Sequence, residues 1–127
     1  MAVKSICGVI IVSENIDALA RFYSEVFDFD FEREDHGGLA LHYGVDIGDC
    51  HFAIQPPANM GRDAVGNSST TVAFNVENLD EIIDRLKAKK AEQVQLLRDE
   101  GFGRTTTFLD PDGNQVEVVE LKYEFSE

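Results

Sequence analysis

The chain repeats one pattern at half its own length. Glu14-Asn15-Ile16-Asp17 matches Glu77-Asn78-Leu79-Asp80 at an offset of 63 residues, from 14 to 77, in a chain of 127. In both copies an apolar strand pattern comes before the match and a helical pattern follows it. Self-similarity at a fixed spacing is typical of an internal duplication. The sequence therefore predicts two copies of one structural module.

The first half reads as βαβββ. Residues 3–12 are rich in β-branched side chains and short, which favours a buried strand. Asn15 is a candidate N-cap, and apolar residues at helical spacing follow it up to Phe27. The alternation that follows predicts strands over 28–34, 39–43 and 50–55, with a turn at Gly37-Gly38 and a loop over 44–49. Phe29 and Phe31 are expected to point inward.

The second half reads the same way. Residues 56–69 have no periodicity and are rich in Pro, Gly, Asn and Ser, so they indicate a connecting segment. A strand over 70–76 then leads to Asn78, a second N-cap candidate with Glu81 three residues on. An amphipathic helix and strands over 94–97, 102–109 and 114–121 follow, with a turn over 98–101. We predict one α+β domain over 1–127, with modules at 1–56 and 70–127 joined by 57–69.

The stretch FLDPDGNQVEVVEL, residues 108–121, carries the most specific chemistry. Asp110, Pro111 and Gly113 have the residue types of a tight turn between two strands. After the turn, alternation places Glu117 on the same strand face as Val119 and Leu121. A carboxylate on such a face lies at the rim of a cavity or needs a partner. Both a ligand-binding and a structural role stay open for Glu117.

Charge excludes some partners. Eleven Lys and Arg stand against 24 Asp and Glu, a formal charge of −13, which repels nucleic acid and anionic membrane surfaces. Hydrophobic residues make up 43% of the chain, enough for a globular core. No apolar run is long enough for a membrane span. Cys7 and Cys50, expected as buried free thiols, favour a reducing compartment, so we expect the cytoplasm.

The chain resembles the vicinal oxygen chelate superfamily, which includes glyoxalase I, bleomycin-resistance proteins and extradiol dioxygenases. The resemblance rests on two stretches that together span most of the chain. They are the opening strand leading to Arg21-Phe22-Tyr23-Ser24-Glu25-Val26-Phe27, and Gly103-Arg104 followed by the turn at 108–114 and Glu117. It implies two βαβββ modules whose curved sheets enclose a cavity, commonly completed by a homodimer.

The resemblance also implies four metal-ligand positions, on the first and last strand of each module. They fall on Gly8, Ala53, Thr71 and Glu117, and only Glu117 has a side chain of the usual ligand type. We therefore expect no cofactor. The alternative is an atypical site for Zn, Ni, Mn or Fe built from Glu117 and His51.

Other polar and aromatic residues are candidates for a ligand site. His51 and Gln55 share a strand face, and Thr71 is the donor nearest to Glu117 by pattern, so these three are the expected hydrogen-bond partners of its carboxylate. Phe102 is a candidate for lining a cavity. Arg104 either recognises an anionic ligand or pairs with a surface acid. His36 and His42 are expected to be solvated.

These observations favour a protein that binds a small organic molecule in the sheet cavity without the usual metal. One alternative is a metal-dependent lyase, transferase or dioxygenase with an atypical metal site. A second is a dimeric interaction domain with a closed cavity. The expected partners are a small-molecule ligand and a second copy of the chain.

Overall fold

A computed structural model describes residues 2–35, 40–60 and 70–122. Two compact units divide the chain, Met1–Asn67 and Ser68–Glu127, called module 1 and module 2 below. Each is built as βαβββ, which confirms the predicted fold class. The elements are β1 Gly8–Val12, α1 Ile16–Phe27, β2 Glu32–Glu34, β3 His42–Ile47, β4 Cys50–Gln55, β5 Val72–Asn75, α2 Leu79–Ala88, β6 Gln93–Glu100, β7 Gly103–Leu109 and β8 Gln115–Leu121.

The two sheets have the same topology. Module 1 has the strand order β1-β4-β3-β2, and module 2 has β5-β8-β7-β6. The first strand of each module runs parallel to the last strand, and the remaining neighbours are antiparallel. Equal order and direction in both halves agree with the duplication predicted from the 63-residue offset.

Strand register identifies equivalent positions in the two modules. Ile10 pairs with Ala53, and Ala73, which lies 63 residues after Ile10, pairs with Glu117. Ala53 is therefore the module 1 counterpart of Glu117, in agreement with the ligand position that the family resemblance implies there. On the next strand, Gly44 lies opposite Ala53, and Thr107 lies opposite Glu117.

Helix α1 covers one face of its sheet through an aromatic cluster. The Asn15 side chain accepts a hydrogen bond from the Ala18 amide, which confirms the predicted N-cap. The Tyr23 ring lies 5.2 Å from Phe52 between centroids, and Phe29 lies 5.5 Å from Phe52. Aromatic pairs at these distances stabilise a core beyond the area that they bury. Because side chains alternate along β4, His51, Ala53 and Gln55 lie on the opposite, helix-free face.

Helix α2 covers the matching face of module 2. The Asn78 side chain accepts from the Glu81 amide, and Glu120 Oε2 accepts from the Leu79 amide at 3.0 Å. The contact with Glu120 places the start of α2 on the face of β8 to which Glu120 points. Glu117 lies an odd number of residues away and so points to the helix-free face, as Ala53 does in module 1.

The turn before β8 is held by one carboxylate. Asp110 is buried, and its Oδ1 accepts from the amides of Asp112 and Asn114, both at 2.9 Å. The Asn114 side-chain amide donates to Asp110 Oδ2 at 2.9 Å, and Gly113 has φ +85°. The turn predicted at these residues is confirmed, and Asp110 is its centre.

Several predicted boundaries in module 1 are wrong. Strand β1 starts at Gly8, not at residue 3, because only residues from Gly8 onward pair with β4. Strand β2 starts at Glu32, because only Glu32–Glu34 pair with β3. Asp28 adopts a left-handed conformation (φ 62°) and ends α1. Strand β3 continues to Ile47 through the predicted loop, because Gly44–Ile47 pair with β4. The turn is limited to Gly48-Asp49.

Strand β6 in module 2 is also longer than predicted. Arg98, Asp99 and Glu100, expected to form a turn, pair with β7 after two register shifts. These residues form a strand because they pair with β7, and their charged side chains alone do not indicate this pairing.

Some predictions concern residues outside the described ranges. The Gly37-Gly38 turn, His36 and residues 61–69 of the connecting segment belong to this group, while Pro57–Met60 form a short 3-10 helix. Cys7 is exposed and Cys50 half-buried, so the expected burial of both thiols is wrong. Within the described ranges, no helix is both long and apolar enough to cross a membrane.

Candidate functional site

Glu117 is half-buried on the helix-free face of module 2. Its Oε2 accepts a hydrogen bond of 2.5 Å from the hydroxyl of Thr105 on β7. Val119 is buried on the same face, as predicted. The prediction that Thr71 donates to Glu117 is wrong, because the Thr71 hydroxyl donates instead to Gln115 Oε1 at 3.3 Å. The short contact with a neutral hydroxyl satisfies one carboxylate oxygen of Glu117.

Polar side chains extend this contact across the sheet. Thr107 is buried and lies opposite Glu117, and its hydroxyl donates to Gln95 Oε1 at 3.3 Å. The same amide oxygen accepts from Arg98 Nη1 at 2.8 Å. We call Glu117, Thr105, Thr107 and Gln95 the polar row. It runs along the helix-free face from the buried Thr105 to the exposed Gln95.

Arg104 lies on the opposite face of the same sheet. Its guanidinium donates to Asp80 Oδ1 at 3.0 Å and lies 3.8 Å from Glu120 Oε1, so it joins β7 to the first turn of α2. The hydrogen bond and charge of Asp80 raise the pKa of Arg104. These contacts support the ion-pair alternative for Arg104. Phe102 is 43% exposed in the turn before β7.

His51 and Gln55 on the helix-free face of module 1 have partners of their own. His51 Nδ1 lies 2.7 Å from Asp46 Oδ1, and the exposed imidazole lies over Gly44. A Cβ atom at Gly44 would come within 2.7 Å of His51 Nε2, so glycine makes room for the ring. The Gln55 side-chain oxygen accepts from Asn59 Nδ2 at 2.9 Å.

His42 is a polar residue that the sequence analysis assigned wrongly. It is 3% exposed, although it was expected to be solvated. Its Nδ1 lies 3.0 Å from the Ala40 carbonyl oxygen, and its Nε2 lies 3.0 Å from Glu34 Oε2. By register, His42 occupies the position in module 1 that Thr105 occupies in module 2. His42 and Gly44 alternate along β3 and are both buried, and this spacing was the signal that could have found it.

The four positions implied for a metal do not offer a suitable donor set. Gly8 and Ala53 have no donor side chain, and the Thr71 hydroxyl is bonded to Gln115. Only Glu117 provides a carboxylate, whereas a divalent ion in a protein needs several such groups. Nowhere in residues 2–35, 40–60 and 70–122 do three or more His, Cys, Asp or Glu side chains form a group that could hold a metal.

Comparisons with known proteins agree with this fold. Residues 6–118 match the model of the Glyoxalase/Bleomycin resistance protein/Dioxygenase superfamily. The chain therefore belongs to this superfamily. No curated protein matches the sequence.

Solved structures of similar fold are known from several bacteria. TioX from Micromonospora sp. ML1 has a TM-score of 0.71 and 22% identity, over 93% of this chain and 99% of TioX. TnmS3, described as an antibiotic binding protein from Streptomyces sp. CB03234, has a TM-score of 0.71 and 17% identity, over 96% of this chain and 99% of TnmS3. A glyoxalase-related enzyme from Fulvimarina pelagi has a TM-score of 0.75 and 19% identity, over 93% of this chain and 88% of that enzyme. At these identities the likeness concerns the fold.

Proposed function

We propose that this protein binds a small organic molecule on the helix-free face of module 2, with Glu117 as its polar anchor. The observation that carries the proposal is the Glu117–Thr105 contact, because it fixes a half-buried carboxylate beside apolar Val119. Among the described residues no side chain bonds Oε1, which is therefore available to a ligand. Binding sites for small molecules typically combine an apolar wall with a few fixed polar groups.

The chemistry of the polar row limits the ligand class. A carboxylate accepts hydrogen bonds, so the complementary ligand group is a hydroxyl, an amine or an amide N–H. The formal charge of −13 favours a neutral or cationic molecule over an anion. The fold likeness to TnmS3, described as an antibiotic binding protein, supports binding as a function that this fold can serve.

We propose that binding does not use a divalent metal. The reason is the donor set, since of Gly8, Ala53, Thr71 and Glu117 only the last provides a ligand group. A metal-dependent enzyme of this superfamily is the competing function. Stoichiometric metal in the purified protein, lost in Glu117→Ala, would establish that competitor instead.

The test is a binding screen by amide chemical shifts. The probes are tyramine, benzyl alcohol and benzamide, which present an amine, a hydroxyl and an amide on an aromatic body, and toluene as a probe without a donor. We expect shifts at Thr105, Thr107 and Val119 with at least one donor probe, and weaker ones with toluene. Replacing Glu117 by Gln should lower the affinity for the most tightly bound probe about tenfold, which is the value of one hydrogen bond to a charged group.

Glu120→Gln is the matched control for this screen. It makes the same chemical change three residues along the same strand, on the face that carries α2. We expect Glu120→Gln to leave probe binding unchanged. Equal weakening by both variants would show that the site depends on module 2 as a whole and not on Glu117.

We also propose a homodimer in the cytoplasm. Strands β1 and β5 are edge strands of their sheets, and Ile10 on β1 is 50% exposed. Exposed edges and apolar side chains are commonly covered by another chain. Light scattering at micromolar concentration should report twice the mass of one chain, and a monomer would contradict the proposal.

A further inference from the structure

Module 1 has a cleft on the face that carries its helix, opposite its own helix-free face. Helix α1, the segment after it, β2 and β3 line this open cleft of about 440 Å³, a size that suits a small organic molecule. Its walls include the charged side chains of Asp17, Arg21, Asp30 and Arg33.

The arginines of the cleft differ from the other arginines that the structure describes. Neither Arg21 nor Arg33 forms an ion pair with any carboxylate in the described ranges. The remaining described arginines all do, namely Arg85 with Glu81, Arg98 with Glu100 and Arg104 with Asp80. In a chain with 24 acidic residues, two guanidinium groups without a carboxylate partner in one cleft are a local exception, although that of Arg33 also lies within hydrogen-bond reach of the Tyr43 side chain. Such groups suit an anion, because each can donate two parallel hydrogen bonds to a carboxylate.

Aromatic rings form the apolar wall of the same cleft. The Phe31 ring lies 6.2 Å from Tyr43 in an edge-on arrangement, and the Tyr43 hydroxyl donates to Asp17 Oδ1 at 2.5 Å. The phenol is thereby held in one orientation, and its ring stays beside Arg33, its partner across the strands. A flat apolar body can pack on these rings while its charged end meets the guanidinium groups.

From these contacts we propose that the cleft of module 1 binds the carboxylate of a small aromatic acid. Arg21 and Arg33 bind the carboxylate, and Phe31 and Tyr43 contact the ring. Asp17 and Asp30 balance the two arginines, so a monoanion is favoured over a dianion such as phosphate. This site is independent of Glu117 and of the function proposed for module 2.

The test compares three probes that differ in one group, 3-phenylpropanoate, 3-phenylpropan-1-ol and 3-phenylpropylamine. Amide shifts in α1 and at Arg33 and Tyr43 report binding. We expect the acid to bind at least about tenfold more tightly than the alcohol, and the amine to bind least. Equal affinity of the acid and the alcohol would overturn the proposal. So would the absence of shifts with the acid at about 10 mM, which excludes even weak recognition.

Variants assign the binding to the cleft. The double variant Arg21→Gln with Arg33→Gln should lower the affinity for 3-phenylpropanoate at least about tenfold, since it removes both charged donors. Arg85→Gln, a change of the same kind on α2, should leave the affinity unchanged. Asp30→Asn should tighten binding by about threefold, because it removes a repelling charge from an exposed site.

Two results would contradict this assignment. One is equal affinity in the double variant and in Arg85→Gln. The other is weaker binding in Asp30→Asn. Glu117→Gln separates this proposal from the one for module 2, because it should change the response to the donor probes there and leave the affinity for 3-phenylpropanoate as it is.

Discussion

Ala53 and Glu117 occupy equivalent positions in two modules of the same topology, yet their surroundings differ. The cross-strand partner of Ala53 is Gly44, which the His51 ring covers, whereas the cross-strand partner of Glu117 is Thr107. Strand order, helix caps and register are alike in both halves, but the side chains on the helix-free faces are not. The duplication thus accounts for the fold, and the polar row is a property of module 2 alone.

The helix-bearing faces differ as well. In module 1, rings such as Tyr23, Phe29 and Phe52 pack α1 onto the sheet. In module 2, the start of α2 is joined to the sheet by polar contacts from Glu120 and Arg104. One helix is therefore held mainly by apolar burial and the other also by a charged network, which predicts different responses to substitution.

The largest expected difference concerns the hairpin turns before the last strand of each module. Asp110→Ala removes a buried carboxylate that accepts hydrogen bonds from two backbone amides and a side chain. We expect a loss of about 2–4 kcal/mol in the free energy of unfolding, since several hydrogen bonds to a charged group disappear together. Urea denaturation measures it.

Asp49→Ala in the corresponding turn of module 1 is the control. Asp49 is exposed, and the two-residue turn there relies on Gly48, whose φ is +59°. A substitution at such a surface position should change stability by less than about 0.5 kcal/mol. Similar losses for Asp110→Ala and Asp49→Ala would show that the carboxylate network does not distinguish the two turns.

A smaller effect should separate the two faces of β8. Glu120→Gln replaces a charged acceptor at the start of α2 and weakens its contact with Arg104, so we expect a loss of about 1 kcal/mol. Glu117→Gln keeps an oxygen that can accept from Thr105 and should cost less than about 0.5 kcal/mol. Thermal unfolding of both variants tests this order. A larger loss for Glu117→Gln would mean that Glu117 serves stability first.

The smallest expected effect is a pH dependence in module 1. The hydrogen bond to Asp17, followed by burial, raises the pKa of Tyr43, and the charge of Arg33 opposes this only in part. A protonated phenol is therefore favoured by folding. This stability is complete below the ordinary tyrosine value near 10 and is lost as pH rises through the raised folded value.

Tyr43→Phe should abolish this contribution. Above about pH 10 the melting temperature of the unmodified protein should fall more steeply than that of the variant. Parallel curves for the two proteins would indicate that the Tyr43–Asp17 hydrogen bond does not persist in solution.

The sequence predicted what local chemistry determines. Asn15 and Asn78 cap their helices as expected, because an N-cap needs only a side chain and an amide three residues away. The turn at Asp110 follows from its own residues in the same way. Alternation along one strand also placed Glu117 on its face correctly.

Partners across the sheet were not predictable from one strand. Thr105 lies diagonally from Glu117 on β7, so finding it requires the register between two strands, which sequence spacing does not contain. The choice of Asp80 by Arg104 depends in the same way on where α2 packs. His42 was misjudged because its burial depends on the neighbouring Glu34 on β2.

The most direct test of the account is a calorimetric titration of the best donor probe from the binding screen, in excess EDTA and then with added Zn²⁺ or Mn²⁺. We predict the same affinity in all three conditions, and about tenfold weaker binding in Glu117→Gln in each of them. Binding that disappears with EDTA and returns with the metal would contradict the account, as would equal affinity in the unmodified protein and Glu117→Gln.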